Sequence, residues 1–113
     1  MSEKCLFCSV ARGEIPAEIV VERDDAIAFR DISPKAPSHL LVIPRRHVPS
    51  LDEADDATEL GSLLRLAAEV ARDEGLAESG YRVVINTNED GGQTVPHLHL
   101  HILGGRRMTW PPG

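Results

Sequence analysis

The chain lacks an apolar run near the ~20 residues that a membrane-spanning helix needs, and it lacks an excess of positive charge. Lysine and arginine total 12 against 18 aspartates and glutamates, which leaves a net charge of −6 at pH 7. These deficits argue against a membrane span and against general binding of nucleic acid or anionic membranes. The opening Met1-Ser2-Glu3-Lys4 does not resemble a signal peptide, so we expect a cytoplasmic protein.

Cysteine is scarce, and the two thiols, Cys5 and Cys8, lie close together. In the cytoplasm such thiols are reduced or metal-bound rather than joined in a structural disulfide. Their Cys-x-x-Cys spacing is that of half a zinc knuckle, although a redox pair or two buried thiols have the same spacing. A zinc site needs two further ligands, which His47 and one of the C-terminal histidines would supply.

Aromatic residues make up only 4% of the chain, and one of them is in the ending Trp110-Pro111-Pro112-Gly113. The prolines exclude a helix or an inner strand there. A frayed tail is the alternative, but a scarce aromatic residue favours an ordered one. The chain has no repeats, low-complexity tracts or long linkers, so residues 1–113 are predicted to form a single domain.

Hydrophobic periodicity predicts alternating strands and one long helix. Residues 18–22 and 26–30 predict a hairpin, and the apolar residues 40–43 predict a strand covered on both faces. Ser50 has capping-box spacing to Glu53 and predicts the start of a helix that ends at Gly75. The predicted buried stripe of this helix is Leu60, Leu63, Leu64, Ala67, Val70 and Ala71.

The later segments complete the fold prediction. Residues 81–86 predict a strand, residues 88–94 a glycine-containing loop, and residues 97–103 the last strand. This order predicts an α+β fold, in which helices cover one side of an antiparallel five-stranded sheet.

Three histidines alternate with apolar residues in the last predicted strand: His97, His99 and His101. Side chains of a strand alternate between its faces, so one face carries only imidazoles and the other carries Leu98, Leu100 and Ile102. Such an array suits metal binding or phosphate chemistry. The preceding Gly91-Gly92-Gln93-Thr94 favours phosphate, because glycines let backbone N–H groups converge on an anion while Gln93 and Thr94 add donors.

The chain resembles the histidine triad (HIT) proteins, whose signature is His-φ-His-φ-His-φ-φ, where φ is apolar. The resemblance covers nearly the whole sequence and is closest to the Hint branch, the purine nucleoside phosphoramidate hydrolases. It is carried by six segments: residues 13–17, 29–34, 39–44, 91–94, the histidine run 97–103 and the ending 110–113.

The resemblance implies a HIT-like fold, whose five-stranded sheet carries one long and one short helix. It also implies a homodimer with joined sheets and one purine nucleotide site per subunit. His99 would be the nucleophile on the α-phosphorus, His39 and His101 would flank the phosphate, and Thr94 would assist the leaving group. Asp31 would bind the ribose. The other implied substrate-binding residues are Leu6, Phe7, Val10, Phe29, Ile32, Asn86, Gly92, Gln93, Val95 and Trp110.

Two departures from the family pattern matter. Thr94 replaces the usual serine, and its extra methyl group would slow or narrow the chemistry. Cys5 and Cys8 resemble those of bacterial relatives that bind zinc, and by position the other two ligands are His47 and His97. The zinc would be structural, and catalysis would need no cofactor. Alternative functions are a binding scaffold with weak turnover, or a dinucleoside polyphosphate hydrolase or nucleotidyl transferase.

Overall fold

Five strands and three helices form the regular structure of residues 5–113, the part of the chain described by the computed structural model. The strands are β1 (Ile19–Glu22), β2 (Ala26–Arg30), β3 (Ser38–Pro44), β4 (Tyr81–Val84) and β5 (Leu100–Gly104). The helices are α1 (Leu6–Ala11), α2 (Ala57–Asp73) and α3 (Asn88–Gly91). Among these residues no helix has the length and apolarity to cross a membrane.

The strands form one antiparallel sheet in the order β1-β2-β3-β5-β4. This confirms the predicted α+β fold and the β1–β2 hairpin. In the β3–β5 pair, His39 lies opposite Leu103 and Leu41 lies opposite His101. His39 and His101 are therefore diagonal neighbours on one face of the sheet, within reach of each other.

Both faces of the sheet are covered, by different helices. Even-numbered residues of the central strands, such as Leu40 and Val42, pack with α2 in one core cluster. Odd-numbered residues, such as Leu41 and Ile43, pack with Phe7 of α1 in a second cluster. The prediction that the helices share one side was therefore wrong, because β3 is apolar on both faces and recruits a helix to each.

The predicted start of the long helix was also wrong. Ser50 makes no capping hydrogen bond, and Leu51–Glu53 forms only a short 3₁₀ turn. The helix α2 begins at Ala57, where the Asp56 carboxylate accepts a hydrogen bond from the backbone N–H of Glu59 at 3.1 Å. Capping-box spacing occurs twice in this segment, and the second instance is the one that caps the helix.

The buried face of α2 is close to the prediction, with one exchange. Leu64 was predicted to be buried but is 49% exposed, whereas Leu66 is 3% exposed. Leu60 is only partly buried at the edge of the cluster. Gly75 has a φ of +78°, which confirms the left-handed ending expected of a glycine at this position.

Two further boundaries differ from the prediction. Residues 88–91 form the single helical turn α3 instead of a loop, and β5 begins at Leu100, so that His97 and His99 precede the strand. The backbone N–H of Leu98 donates to the Val48 carbonyl at 2.7 Å, outside the ladder. The predicted alternation of imidazoles and apolar side chains is still present, because Leu98, Leu100 and Ile102 are at most 1% exposed on the α2 face.

Candidate active site and metal centre

A cavity of about 240 Å³ opens between α1, β2 and the start of β5. Apolar side chains form most of its wall, and imidazole, carboxylate and hydroxyl groups converge at one side. Ten residues predicted for the site line it: Leu6, Phe7, Val10, Phe29, Asp31, Ile32, Thr94, Val95, His99 and His101.

Sequence reasoning missed five lining residues: Ile15, Pro16, Ala17, Arg30 and Leu41. The first three lie in segment 13–17, which carried part of the family resemblance but was given no role. The resemblance of this segment to the family was the signal that could have assigned these residues to the site. Arg30 and Leu41 lie in segments 29–34 and 39–44, which carried the resemblance as well, but neither residue was given a role.

His99 is held in one orientation. Its side chain is buried, and Nδ1–H donates to the His97 carbonyl at 2.7 Å. Burial lowers the pKa of His99, so that the neutral ring is favoured at pH 7. With the proton on Nδ1, the lone pair on Nε2 is available to an electrophile.

His39 and His101 form a chain of hydrogen bonds with a defined direction. The backbone N–H of Lys35 donates to Nδ1 of His39 at 3.0 Å, so the neutral ring of His39 carries its proton on Nε2. This Nε2 lies 2.9 Å from Nδ1 of His101 and donates to it. His101 therefore presents an N–H on Nε2, and its pKa is lowered to about 4, chiefly by burial.

Asp31 lies at the edge of this group. Its Oδ1 accepts the backbone N–H of Ser33 at 2.8 Å, and its Oδ2 is 3.4 Å from Nε2 of His39. Ile32 beside it is 95% exposed at the rim of the cavity. The carboxylate thus lies between the histidines and an apolar rim.

The glycine loop differs in detail from the prediction. Gly92 has a φ of +82°, so a residue without a Cβ is favoured there. The Gln93 amide donates both hydrogens to carbonyls, of Pro49 at 2.7 Å and of Val95 at 3.0 Å. Its side chain braces the loop and leaves no free donor for a phosphate, contrary to expectation. Asn86 and Gly92 do not line the cavity.

The C-terminal tail does not reach this cavity. Trp110 is 79% exposed, and the Arg82 guanidinium carbon lies 6.0 Å from the centre of its ring. Arg82 also donates from Nη2 to the Thr109 carbonyl at 2.7 Å. These contacts give the tail a defined place beside β4.

Four predicted metal ligands come together in a second cluster: Cys5, Cys8, His47 and His97. Nδ1 of His97 is 3.4 Å from Sγ of Cys5, 3.5 Å from Sγ of Cys8 and 3.3 Å from Nδ1 of His47. Nδ1 of His47 is 3.3 Å from Sγ of Cys8.

These separations fit tetrahedral zinc. With Zn–N bonds of about 2.0–2.1 Å and Zn–S bonds of about 2.3 Å, a tetrahedron separates two nitrogens by about 3.3 Å and a nitrogen from a sulfur by about 3.5 Å. Nε2 of His97 lies 2.8 Å from the Pro44 carbonyl and donates to it, which leaves the Nδ1 lone pair for a metal.

The sequence profile of the HIT domain matches residues 12–108. The chain belongs to the HIT domain family. The match begins after α1, so Cys5 and Cys8 lie outside it.

The chain is also similar to individual HIT proteins. It is 47% identical to the purine nucleoside phosphoramidase of Escherichia coli over 96% of this chain and 92% of that protein. The crystal structure of a HIT family hydrolase from Legionella pneumophila has a TM-score of 0.95 at 53% identity, covering 97% of this chain and 100% of the other. A histidine triad protein from Clostridium difficile has a TM-score of 0.88 at 41% identity, covering 93% of each chain.

Proposed function

We propose that this HIT protein hydrolyses purine nucleoside 5′-phosphoramidates through a covalent nucleotidyl-histidine. The observation that carries the proposal is the fixed tautomer of His99, whose Nδ1–H is bound to a carbonyl at 2.7 Å in a ring that lines the cavity. The similarity to the phosphoramidase of E. coli supports the reaction class.

In the first displacement, Nε2 of His99 attacks the α-phosphorus and a P–N bond to the ring forms. The bond from phosphorus to the leaving nitrogen breaks, and its electron pair stays on that nitrogen, which also takes a proton. We assign Thr94, on the cavity wall, to pass this proton from solvent to the leaving nitrogen through its hydroxyl. In the second displacement, water attacks phosphorus and the P–N bond to His99 breaks, with its electron pair returning to Nε2 of the neutral imidazole. The proton that the attacking water loses goes back to solvent and replaces the one given to the leaving nitrogen, so the sum is hydrolysis.

His101 stabilises the charge that develops on the phosphoryl oxygens. Its Nδ1 accepts from His39, so the N–H on Nε2 is the group left to face an anion. Such a preoriented donor is effective because it needs no reorganisation during the reaction. His39 acts through His101. The backbone N–H of Lys35 fixes the direction of both hydrogen bonds, because it makes Nδ1 of His39 the acceptor and Nε2 the donor.

The nucleoside occupies the apolar part of the cavity. Phe7 and Phe29 pack edge to face, with ring centres 5.6 Å apart, and they offer a wall for a purine. The Asp31 carboxylate at the rim is placed to accept hydrogen bonds from ribose hydroxyls. Burial of the base supplies much of the affinity for the ground state.

The cysteine–histidine cluster is proposed to hold one structural zinc ion. Four protein ligands close its shell, so the ion would cross-link the N-terminal segment to the segments that follow β3 and precede β5 instead of activating water. No step of the hydrolysis is assigned to it.

We further propose a homodimer of single-domain subunits, with Trp110 of each subunit near the site of its partner. Trp110 does not line the cavity of its own subunit, and the edge strand β4 is a surface through which two sheets can join. The acidic net charge speaks against nucleic acid and anionic membranes as partners.

The deciding experiment is turnover of an adenosine phosphoramidate by the wild type and by His99→Ala. We expect the variant to lose more than about a hundredfold in kcat/KM, because the residue that forms the covalent bond is gone. Its affinity for AMP should stay close to that of the wild type, since Asp31 and the apolar wall are intact.

A variant that keeps more than about a tenth of the wild-type kcat/KM contradicts the nucleophile assignment. Trapping of a nucleotidyl-enzyme by acid quench, seen as an added mass in the wild type alone, tests the intermediate directly. A wild type that binds AMP and turns over no phosphoramidate supports the scaffold alternative.

A further inference from the structure

The helix α1 carries metal ligands and substrate-site residues together. Cys5 caps its first turn, Cys8 lies three residues later, and Leu6 and Phe7 between them line the cavity. Phe7 is buried, whereas Leu6 is 46% exposed at the rim. Any force that holds the two thiols therefore also holds this part of the cavity wall.

α1 depends on its tertiary contacts. A helix of 6 residues is too short to be stable by itself. Its last residue, Ala11, is held by Arg45, whose Nη1 donates to the Ala11 carbonyl at 2.8 Å. Its first turn is joined to the segments that follow β3 and precede β5, because Cys5 and Cys8 face His47 and His97 there.

The nucleophile is held by two residues of the same unit. Nδ1–H of His99 donates to the carbonyl of His97, itself a predicted metal ligand. The ring of Phe7 packs edge to face on the His99 ring, with centres 5.0 Å apart and planes at 81°. Phe7 also lies 6.1 Å from the His97 ring, so one aromatic side chain spans the metal centre and the nucleophile.

We propose that Phe7 is a positioning residue that transmits occupancy of the metal site to His99. When zinc ties Cys5 and Cys8 to His47 and His97, Phe7 is pressed against the imidazole of His99 and keeps its Nδ1–H on the His97 carbonyl. When the thiols are released, the first turn of α1 loosens, and both the nucleophile and the apolar wall lose their order. This inference rests on the proposed role of His99.

The first test compares Phe7→Leu with Leu6→Ala, two changes on the same turn that both line the cavity. The Phe7 ring packs on the His99 ring, so Phe7→Leu should lower kcat by about fivefold or more, in line with an aromatic pair. Leu6 lies at the exposed rim of the cavity, so Leu6→Ala should raise KM by a larger factor than it lowers kcat. Both variants should retain about one zinc per chain, since all four ligands remain.

The second readout does not depend on turnover. In the zinc-loaded wild type the Nδ1–H proton of His99 should give a slowly exchanging downfield NMR signal, because it is buried in a short hydrogen bond. Phe7→Leu and the Cys5→Ser/Cys8→Ser double variant should both speed its exchange with water. In the double variant, amide protection across residues 6–11 should also fall, and AMP should bind more weakly.

Val70→Ala is the matched stability control, because Val70 lies in the core on the opposite face of the sheet. It should lower Tm and leave both the imidazole signal and kcat at wild-type values. The proposal is overturned if the wild type binds no zinc, or if Phe7→Leu leaves kcat and the imidazole exchange unchanged. Failure of the wild type to hydrolyse phosphoramidates would count against the proposed function, whereas the imidazole exchange would still decide this inference.

Discussion

Burial lowers the pKa of four imidazoles in this site, those of His39, His97, His99 and His101. Neutral rings each offer one donor and one acceptor, so the hydrogen bonds around them decide their chemistry. A backbone group fixes the tautomer of three of these rings. The Pro44 carbonyl accepts from His97, the His97 carbonyl accepts from His99, and the backbone N–H of Lys35 donates to His39. The backbone groups around each ring thus give similar side chains different roles.

The lowered pKa of His101 predicts a pH dependence of stability. Its value is about 4 in the folded chain, against about 6.5 in the unfolded chain. Between these values the unfolded chain binds a proton that the folded chain does not, so stability falls as the pH falls from 6.5 towards 4. The contribution of this residue is at most about 3 kcal/mol.

Urea denaturation of the wild type and of His101→Gln at pH 7, 6 and 5 checks this expectation. Glutamine does not titrate, so the variant should lose less free energy of unfolding over this interval. Wild-type and variant curves that fall in parallel with pH would rule out a depressed pKa at this residue.

At the scale of elements, two arrangements build the site. The register of β3 against β5 makes His39 and His101 diagonal neighbours. The placement of α1 on the face opposite α2 closes the cavity and brings both thiols to the histidines. A shift of one residue in the β3–β5 register would turn His39 to the other face and break the chain of hydrogen bonds.

The start of α2 gives a prediction at the same scale. Asp56→Ala removes the capping hydrogen bond to Glu59 and should cost about 1 kcal/mol of stability. Ser50→Ala is the matched control, because the Ser50 hydroxyl makes no capping bond and has no hydrogen-bond partner among the described residues. Denaturant titration should show the loss in the first variant and little or none in the second. Equal losses would mean that Asp56 is not the cap that matters.

At the scale of the whole molecule, the C-terminal tail lies beside the edge strand through which we propose that the dimer forms. Arg82 on the edge strand β4 holds the backbone of Thr109 and lies near the exposed ring of Trp110. The tail is thus fixed beside the edge where we propose that two sheets join. This placement keeps Trp110 out of its own cavity and available to that of a partner.

Removal of residues 109–113 should therefore change the ratio of kcat/KM between phosphoramidates with different leaving groups. Tm should change little, because the tail borders the fold and does not enter either core cluster. The measurement is a substrate panel combined with thermal unfolding. Sedimentation as a monomer at micromolar concentration would contradict the cross-subunit placement, and unchanged ratios would contradict a role of the tail in specificity.

Local patterns in the sequence determined a large part of this protein. The period of two in the histidine run placed Leu98, Leu100 and Ile102 in the core, and the family signature identified ten of the residues that line the cavity. Alternating burial and short motifs are set by residues that are close together in the chain, so a single sequence is enough to recognise them. The cytoplasmic location and the dimer remain predictions.

Only the tertiary structure decided the arrangement that spans distant segments. Segment 50–59 holds two capping signals of equal spacing, and its packing selects Asp56. Gln93 donates its amide hydrogens to the carbonyls of Pro49 and Val95, and no local pattern in the sequence predicts these hydrogen bonds. The packing of α1 against His97 and His99 likewise joins residues about 90 positions apart. Such contacts arise from the filling of a shared core, and the spacing of residues along the chain does not encode them directly.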